Sequence, residues 1–156
     1  MANHLDLPRS EADVLNCLPK TAPTAGFRLI RRSAGHESWE LAVGVLVEGG
    51  EFKKGLTIQL VCHQTKRPFR QSFKFSLFRL EYGEAKRSYQ LDTTSMPIGD
   101  LGSHEWPHEH LGQDRLNFGS NFPSNFSDSV SHFCRATQTE FEDVLENPFE
   151  FRLRKS

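Results

Sequence analysis

The sequence has too few cysteines, in the wrong arrangement, for a disulfide framework or a thiolate zinc site. Its 156 residues include only three, Cys17, Cys62 and Cys134, and none of them forms a CxxC pair. Disulfide-stabilised domains and cysteine zinc sites need paired or closely spaced thiols. The cysteine usage therefore predicts reduced thiols and favours a cytoplasmic protein.

Long apolar runs and the common cofactor motifs are also missing. No window approaches about 18 uninterrupted apolar residues, and the first residues lack an apolar signal core, so we expect neither a membrane span nor secretion. There is no GxGxxG, P-loop, nucleophile elbow or HExxH motif, which leaves nucleotide-cofactor and standard hydrolase functions without their signatures. The formal net charge of −1 neither requires nor excludes nucleic acid.

The sequence is instead rich in strand-like segments. A chain of this length fits one domain over residues 1–156, and thirteen phenylalanines supply large buried areas. Five segments have strand composition and are joined by short polar loops: Phe27–Arg32, Ser38–Glu48, Leu56–His63, Gln71–Tyr82 and Ala85–Asp92. Because no helical segment separates them, they predict an α+β protein with an antiparallel sheet of five or six strands. A blurred alternation at Phe78 and Leu80 indicates a bulge.

Two helices are predicted at the ends of this sheet segment. Ser10 has the features of an N-cap, and Pro19 ends the short N-terminal helix that follows it. Near the C-terminus, apolar residues recur at three- and four-residue steps from Ser127 to Glu146, which predicts an amphipathic helix covering one face of the sheet.

A long segment, residues 93–126, lies between the fifth strand and the second helix. Irregular segments of this length are usually functional or disordered, and its aromatic residues indicate that it packs against the protein. It contains the sequence HEWPHEH at residues 104–110, with three of the seven histidines. We therefore look for function in this long loop.

The histidines of this loop are compatible with a metal site. If residues 108–110 are extended, His108 and His110 point to one face about 6.6 Å apart, whereas Glu109 points away. His104 is a third candidate ligand, and Asp92, Asp100 or Asp114 could complete a site for zinc or manganese. The sequence leaves open whether a metal binds at all.

The same histidines are also compatible with acid–base chemistry that needs no metal. One imidazole can take the proton of a 2′-hydroxyl while the other protonates the leaving oxygen. Arg115 and Tyr89 are the candidate partners for the phosphate charge and the nucleotide bases. The alternative is purely structural, with the imidazoles capping backbone groups and Trp106 anchoring the loop.

Charged clusters add two candidate surfaces. The run Lys66–Arg70 resembles a phosphate-contacting loop, although solvated loop charges are the commoner explanation for such a run. Arg28, Arg31 and Arg32 add a second basic patch. The predicted second helix carries an acidic face that is suited to a basic partner: Glu140, Glu142, Asp143 and Glu146.

The order of features resembles a known group of small bacterial proteins. A strand from Arg87 to Asp92 precedes Pro107-His108-Glu109-His110-Leu111-Gly112 and a terminal helix, which is similar to proteins carrying Pro-His-x-His after a β-meander, such as TumE-type toxins of toxin–antitoxin modules. The resemblance covers residues 72–145 and implies a growth-inhibiting or phage-defence protein that acts on RNA or on a cellular protein and is paired with an antitoxin.

These observations leave two classes of function open. The first is a cytosolic toxin- or defence-type ribonuclease in which His108 and His110 carry the proton transfers or hold a metal. The second is a binding module without chemistry, for instance an inhibitor that docks a host complex, or an interaction domain stapled by a metal.

Overall fold

The computed structural model describes residues 5–47 and 51–150. In this part of the chain two α-helices and one nine-stranded sheet form an α+β fold, as predicted. The helices are α1 (Arg9–Cys17) and α2 (Phe126–Thr137). The strands are β1 (Lys20–Ala22), β2 (Arg28–Ser33), β3 (His36–Val47), β4 (Glu51–Lys66), β5 (Phe69–Glu81), β6 (Glu84–Thr94), β7 (His108–Leu111), β8 (Asp114–Asn117) and β9 (Thr139–Phe141).

The sheet is larger and more mixed than the sequence predicts. Its order is β8-β7-β6-β5-β4-β3-β1-β9, and β2 also pairs with β3. All neighbours are antiparallel except β1 and β9, which are parallel. The predicted count of five or six strands is wrong because β1 and β9 have three residues each, too few for a recognisable alternation, and because β7 and β8 lie inside the segment predicted to be a loop.

The five predicted strands are found as β2 to β6, most of them with longer ends; Glu48, in the second of them, lies outside the described residues. The expected bulge is present, since the register between β5 and β6 shifts between Leu77 and Phe78. Ser88 is the extra residue on β6, and its hydroxyl donates to Asn16 of α1 (Oγ to Oδ1, 2.8 Å). The bulge thus turns a β6 side chain towards the first helix.

Both helices differ from their predicted limits. Helix α2 begins after Asn125, whose side chain accepts from the backbone N–H of Asp128, and ends at Thr137 rather than Glu146. Gln138 adopts a left-handed conformation (φ 52°) and directs the chain into β9, so the acidic residues predicted to lie on the helix follow it instead. At α1, Pro8 and not Ser10 occupies the N-cap position. Neither helix is long and apolar enough to cross a membrane, among the residues described.

The two faces of the sheet differ sharply. Phenylalanines of α2 pack on one face, with Phe126 against Phe73 and Phe133 against Phe75 and Tyr89. Alternation places the next residue of each strand on the opposite face, which we call the open face. Its central strands carry mainly polar side chains there: His36, Ser38 and Glu40 of β3, Gln59 and His63 of β4, Arg70, Ser72, Lys74 and Ser76 of β5, and Gln90, Asp92 and Thr94 of β6.

The segment 93–126 is not irregular throughout, because it contains the hairpin of β7 and β8. A two-residue connection joins them, and its first residue, Gly112, has φ +58°. A Cβ at Gly112 would clash with the backbone oxygen of Leu7 and press against Ala12 of α1. Only glycine allows this turn to lie so close to the N-terminal segment, which fixes the position of the histidine strand.

Candidate nucleic-acid interface

Strand β7 brings His108 and His110 together on the open face. Its residues pair with β6 in register, with His108 opposite Asp92 and His110 opposite Gln90. The two imidazole rings lie edge to face with centroids 4.9 Å apart. The expected pair is therefore formed by alternation along one short strand.

His108 is held in one orientation by the backbone. It is buried, and its Nδ1 lies 2.8 Å from the carbonyl oxygen of Trp106. A carbonyl oxygen only accepts, so Nδ1 carries a hydrogen and Nε2 is left for other partners. Nε2 lies 3.8 Å from Oδ2 of Asp92. Nε2 thus faces a neighbouring carboxylate.

His110 occupies a different electrostatic environment. Burial, followed by the charges of Arg87, His108, Arg115 and Lys74, lowers its pKa to about 3. Its Nδ1 is buried and has no hydrogen-bond partner among the described residues. His110 is therefore neutral at pH 7 and is surrounded by cations.

These cations are placed by the strands next to β7. Arg115 of β8 lies directly opposite His110 and donates to Asn117 (Nε to Oδ1, 3.1 Å). Arg87 donates to Gln90 (Nη1 to Oε1, 2.9 Å), and Gln90 donates to Ser76 (Nε2 to Oγ, 2.8 Å). Arg87, Gln90 and Ser76 thus link the polar side chains of β6 and β5, and Arg115 and Asn117 form a separate pair within β8.

Lys74 of β5 is a further cation near His110. It pairs weakly with Asp92 (Nζ to Oδ2, 4.0 Å), and its side chain is 56% exposed. The alternation of Phe73, Lys74 and Phe75 already places Lys74 away from the core, but the sequence alone does not show that β7 lies two strands away. The pairing of β7 with β6 in the structure is what brings the histidine strand close to Lys74.

Tyr89 is not part of this site. It faces the helices, is fully buried, and donates to Glu109 (hydroxyl to Oε2, 2.6 Å). Nε2 of His132 on α2 lies 2.9 Å from the same carboxylate oxygen, and the hydrogen bond from His132 is the main reason that the pKa of Glu109 is lowered. The predicted grouping of Tyr89 with His108, His110 and Arg115 does not occur, because the sheet separates it from them.

His104 is not brought into the pair either. It lies in a short 3₁₀ helix (Ser103–Glu105), where it is exposed and close to Gly102. In residues 5–47 and 51–150, no three histidine, cysteine, aspartate or glutamate side chains are grouped so that they could hold a metal ion. The trio His104, His108 and His110 is therefore not assembled as a ligand set.

A second histidine pair lies on the open face at the far end of β3 and β4. The rings of His36 and His63 have centroids 5.6 Å apart, and Nδ1 of His63 lies 2.5 Å from the hydroxyl of Ser38. Burial, then the charges of His36, Arg31 and Arg70, lowers the pKa of His63. The sequence alone does not show that these two histidines are close together, because their proximity depends on the register of β3 with β4.

Comparison with known proteins adds no assignment to this geometry. No protein family, curated protein or solved structure matches the chain. The function is therefore argued from the residues of the open face.

Proposed function

We propose that the open face of the sheet binds RNA and that His108 and His110 cleave it, within a small cytosolic protein of toxin or defence type. The observation that carries the proposal is the grouping of the pair with Arg115 and Lys74 on one polar face. A third nearby cation, Arg87, is already paired with Asp6 (Nε to Oδ1, 2.8 Å). Cations bind phosphates, and two imidazoles 4.9 Å apart (centroid to centroid) provide both an acceptor and a donor of protons.

The roles of the two histidines differ in this proposal. Neutral His110 takes the proton of the 2′-hydroxyl, whose oxygen attacks the adjacent phosphorus. His108, whose Nε2 lies 3.8 Å from Oδ2 of Asp92, gives a proton to the leaving 5′-oxygen. The products are a 2′,3′-cyclic phosphate and a 5′-hydroxyl, so atoms and protons balance without a metal.

The cations supply the electrostatic part of the reaction. A phosphate bound near Arg115 and Lys74 offsets the positive field that lowers the pKa of His110, which makes this imidazole more basic when substrate is present. The same cations stabilise the extra negative charge on the phosphorus centre in the transition state. Binding and catalysis thereby use the same groups.

Purified protein incubated with RNA tests the proposal. We expect cleavage that persists in a chelator, and His108→Ala should reduce its rate about 100-fold or more. His104→Ala, which changes an exposed histidine outside the pair, is the matched control and should leave the rate unchanged. Undiminished cleavage by folded His108→Ala protein would exclude the assigned chemistry.

The toxin or defence role rests on the resemblance of residues 72–145 to TumE-type toxins, and it includes an antitoxin partner. Inducible expression in bacteria tests it: the wild-type chain should arrest growth, and the His108→Ala variant should not. Growth arrest by both proteins would separate toxicity from the histidine pair.

A binding module without chemistry is the second candidate, and the acidity of the C-terminal segment favours it. Five carboxylates lie between Glu140 and Glu150, with no lysine or arginine among them. Such a segment suits a basic protein partner in a host complex. A stable partner that is lost on charge reversal of Glu140, Glu142 and Asp143, together with no cleavage of RNA, would support this alternative.

A further inference from the structure

Three segments enclose a pocket at the end of the sheet where the β3 and β4 histidines lie. They are the turn between β2 and β3, the turn between β4 and β5, and the segment after β6. The pocket has a volume of about 730 Å³ and is lined by residues that include His36, Lys66, Arg67, Arg70, Met96 and Asp100. This volume is in the range of small-ligand sites.

The pocket is held open by contacts between its walls. The backbone N–H of Lys66 donates to the carbonyl of Gly35 (3.1 Å), which ties the two turns together. Arg70 donates to Thr94 (Nε to Oγ1, 3.0 Å) and to Glu105 (Nη1 to Oε2, 2.9 Å). The third segment is thereby fastened to β5 as well.

The charge of the pocket is positive although the whole chain is slightly acidic. Lys66 and Arg67 have no carboxylate within ion-pair distance among the described residues. Among the residues that line the pocket, three carry a permanent positive charge, Lys66, Arg67 and Arg70, and one carries a negative charge, Asp100. The surplus is two positive charges, which matches a phosphate monoester near its dianionic form.

We infer that this pocket binds the terminal phosphate of an RNA strand lying on the open face. The inference rests on the proposed function, because His63 and Lys74 connect the pocket to the His108 pair through successive rows of that face. A phosphodiester within the strand carries one negative charge, whereas a terminal monoester carries up to two. The surplus of positive charge in the pocket therefore favours binding of a terminal phosphate of the RNA over a phosphodiester within it.

Binding of three oligonucleotides of one sequence tests the inference. All are 2′-O-methylated, so that they lack the attacking hydroxyl, and they carry a 5′-phosphate, a 3′-phosphate or hydroxyls at both ends. Fluorescence anisotropy should show that one phosphorylated form binds about tenfold tighter than the hydroxyl form, as one or two charge-assisted hydrogen bonds provide. Which end is preferred identifies the end that the pocket receives.

Substitution of Lys66 and Arg67 tests whether the pocket causes the tighter binding of the phosphorylated oligonucleotide. In a Lys66→Gln, Arg67→Gln double variant the ratio of the two affinities should fall to about one, as expected when the charge-assisted contacts are lost. Arg135→Gln changes an exposed arginine of α2, on the helix side of the sheet, and should preserve the ratio.

The outcomes separate the two proposals. Equal binding of all three oligonucleotides would overturn the pocket and leave RNA binding by the open face intact. Tight binding of a phosphorylated form alone would support the pocket and overturn the wider RNA surface. No binding of any oligonucleotide, or a preference that survives the double variant, would overturn the pocket; anionic vesicles that bind in place of RNA would do the same.

Discussion

Strand β7 presents His108 and His110 to one face of the sheet and Glu109 to the other. The titratable side chains on the two faces differ in their hydrogen-bond partners. On the helix side, the carboxylate of Glu109 receives hydrogen bonds from Tyr89 and His132. On the open side, His110 has a buried nitrogen without a described partner and several cations around it. Glu109 is therefore placed to stabilise the fold, whereas His110 keeps a buried nitrogen that no described residue binds.

Replacement of Glu109 should have the largest effect on stability. Glu109→Ala leaves the buried hydroxyl of Tyr89 without an acceptor, and we expect a loss of about 2 to 3 kcal/mol in the free energy of unfolding, measured with urea at pH 7. Glu109→Gln keeps an acceptor oxygen and should lose less. RNA affinity should be unchanged in both, because neither alters the open face. If the Glu109→Ala variant were as stable as the wild type, Glu109 would not stabilise the fold, and the proposed difference between the two faces would be wrong.

A pH titration of stability should isolate His110. Its folded pKa of about 3 lies below the ordinary 6.5, so below pH 6.5 the unfolded chain binds a proton that the folded chain rejects. Stability is therefore lost as the pH falls from about 6.5 towards 3. Between pH 7 and pH 5 this should remove about 1 to 2 kcal/mol. Glu109 contributes in a lower window, because its pKa is lowered from 4.5 and its stabilisation is lost only as the pH falls below that value.

The His110→Gln variant provides the comparison. It should lose less stability than the wild type between pH 7 and pH 5; a remaining slope is expected from His63, whose pKa is also lowered. His104→Gln is the control at an exposed position and should keep the wild-type slope. If His110→Gln and the wild type titrate alike, the pKa of His110 is the same in the folded and the unfolded chain.

Removal of Lys74 should have the smallest effect on stability. Its pair with Asp92 is long (Nζ to Oδ2, 4.0 Å), with side-chain exposures of 56% and 36%, and exposed pairs contribute little. We expect Lys74→Gln to change the free energy of unfolding by no more than about 0.5 kcal/mol. RNA affinity should fall nevertheless, with a weaker dependence on salt. If Lys74→Gln lost stability but kept its RNA affinity, Lys74 would support the fold and the open face would not be the RNA-binding surface.

The sequence predicted local structure better than the relations between distant segments. Alternation was enough to find β2 to β6 and to place His108 and His110 on one side of an extended segment. It could not show that β7 joins the sheet beside β6, which separates Tyr89 from the pair and brings Lys74 near it. Nor could it show that the apolar residues after Thr137 lie outside the helix, because Gln138 and the pairing of β9 with β1 end the helix there.

The parallel pairing of β1 with β9 also constrains how the chain can fold. The side chain of Thr24 and the backbone of Asp143 exchange hydrogen bonds across 119 residues. Closing so long a loop is entropically unfavourable, and contacts of this kind slow folding. During synthesis, β1 must wait with an unpaired edge until residue 141 has left the ribosome. The meander from β3 to β8 ends at residue 117, so β9 is synthesised after every other strand of the sheet.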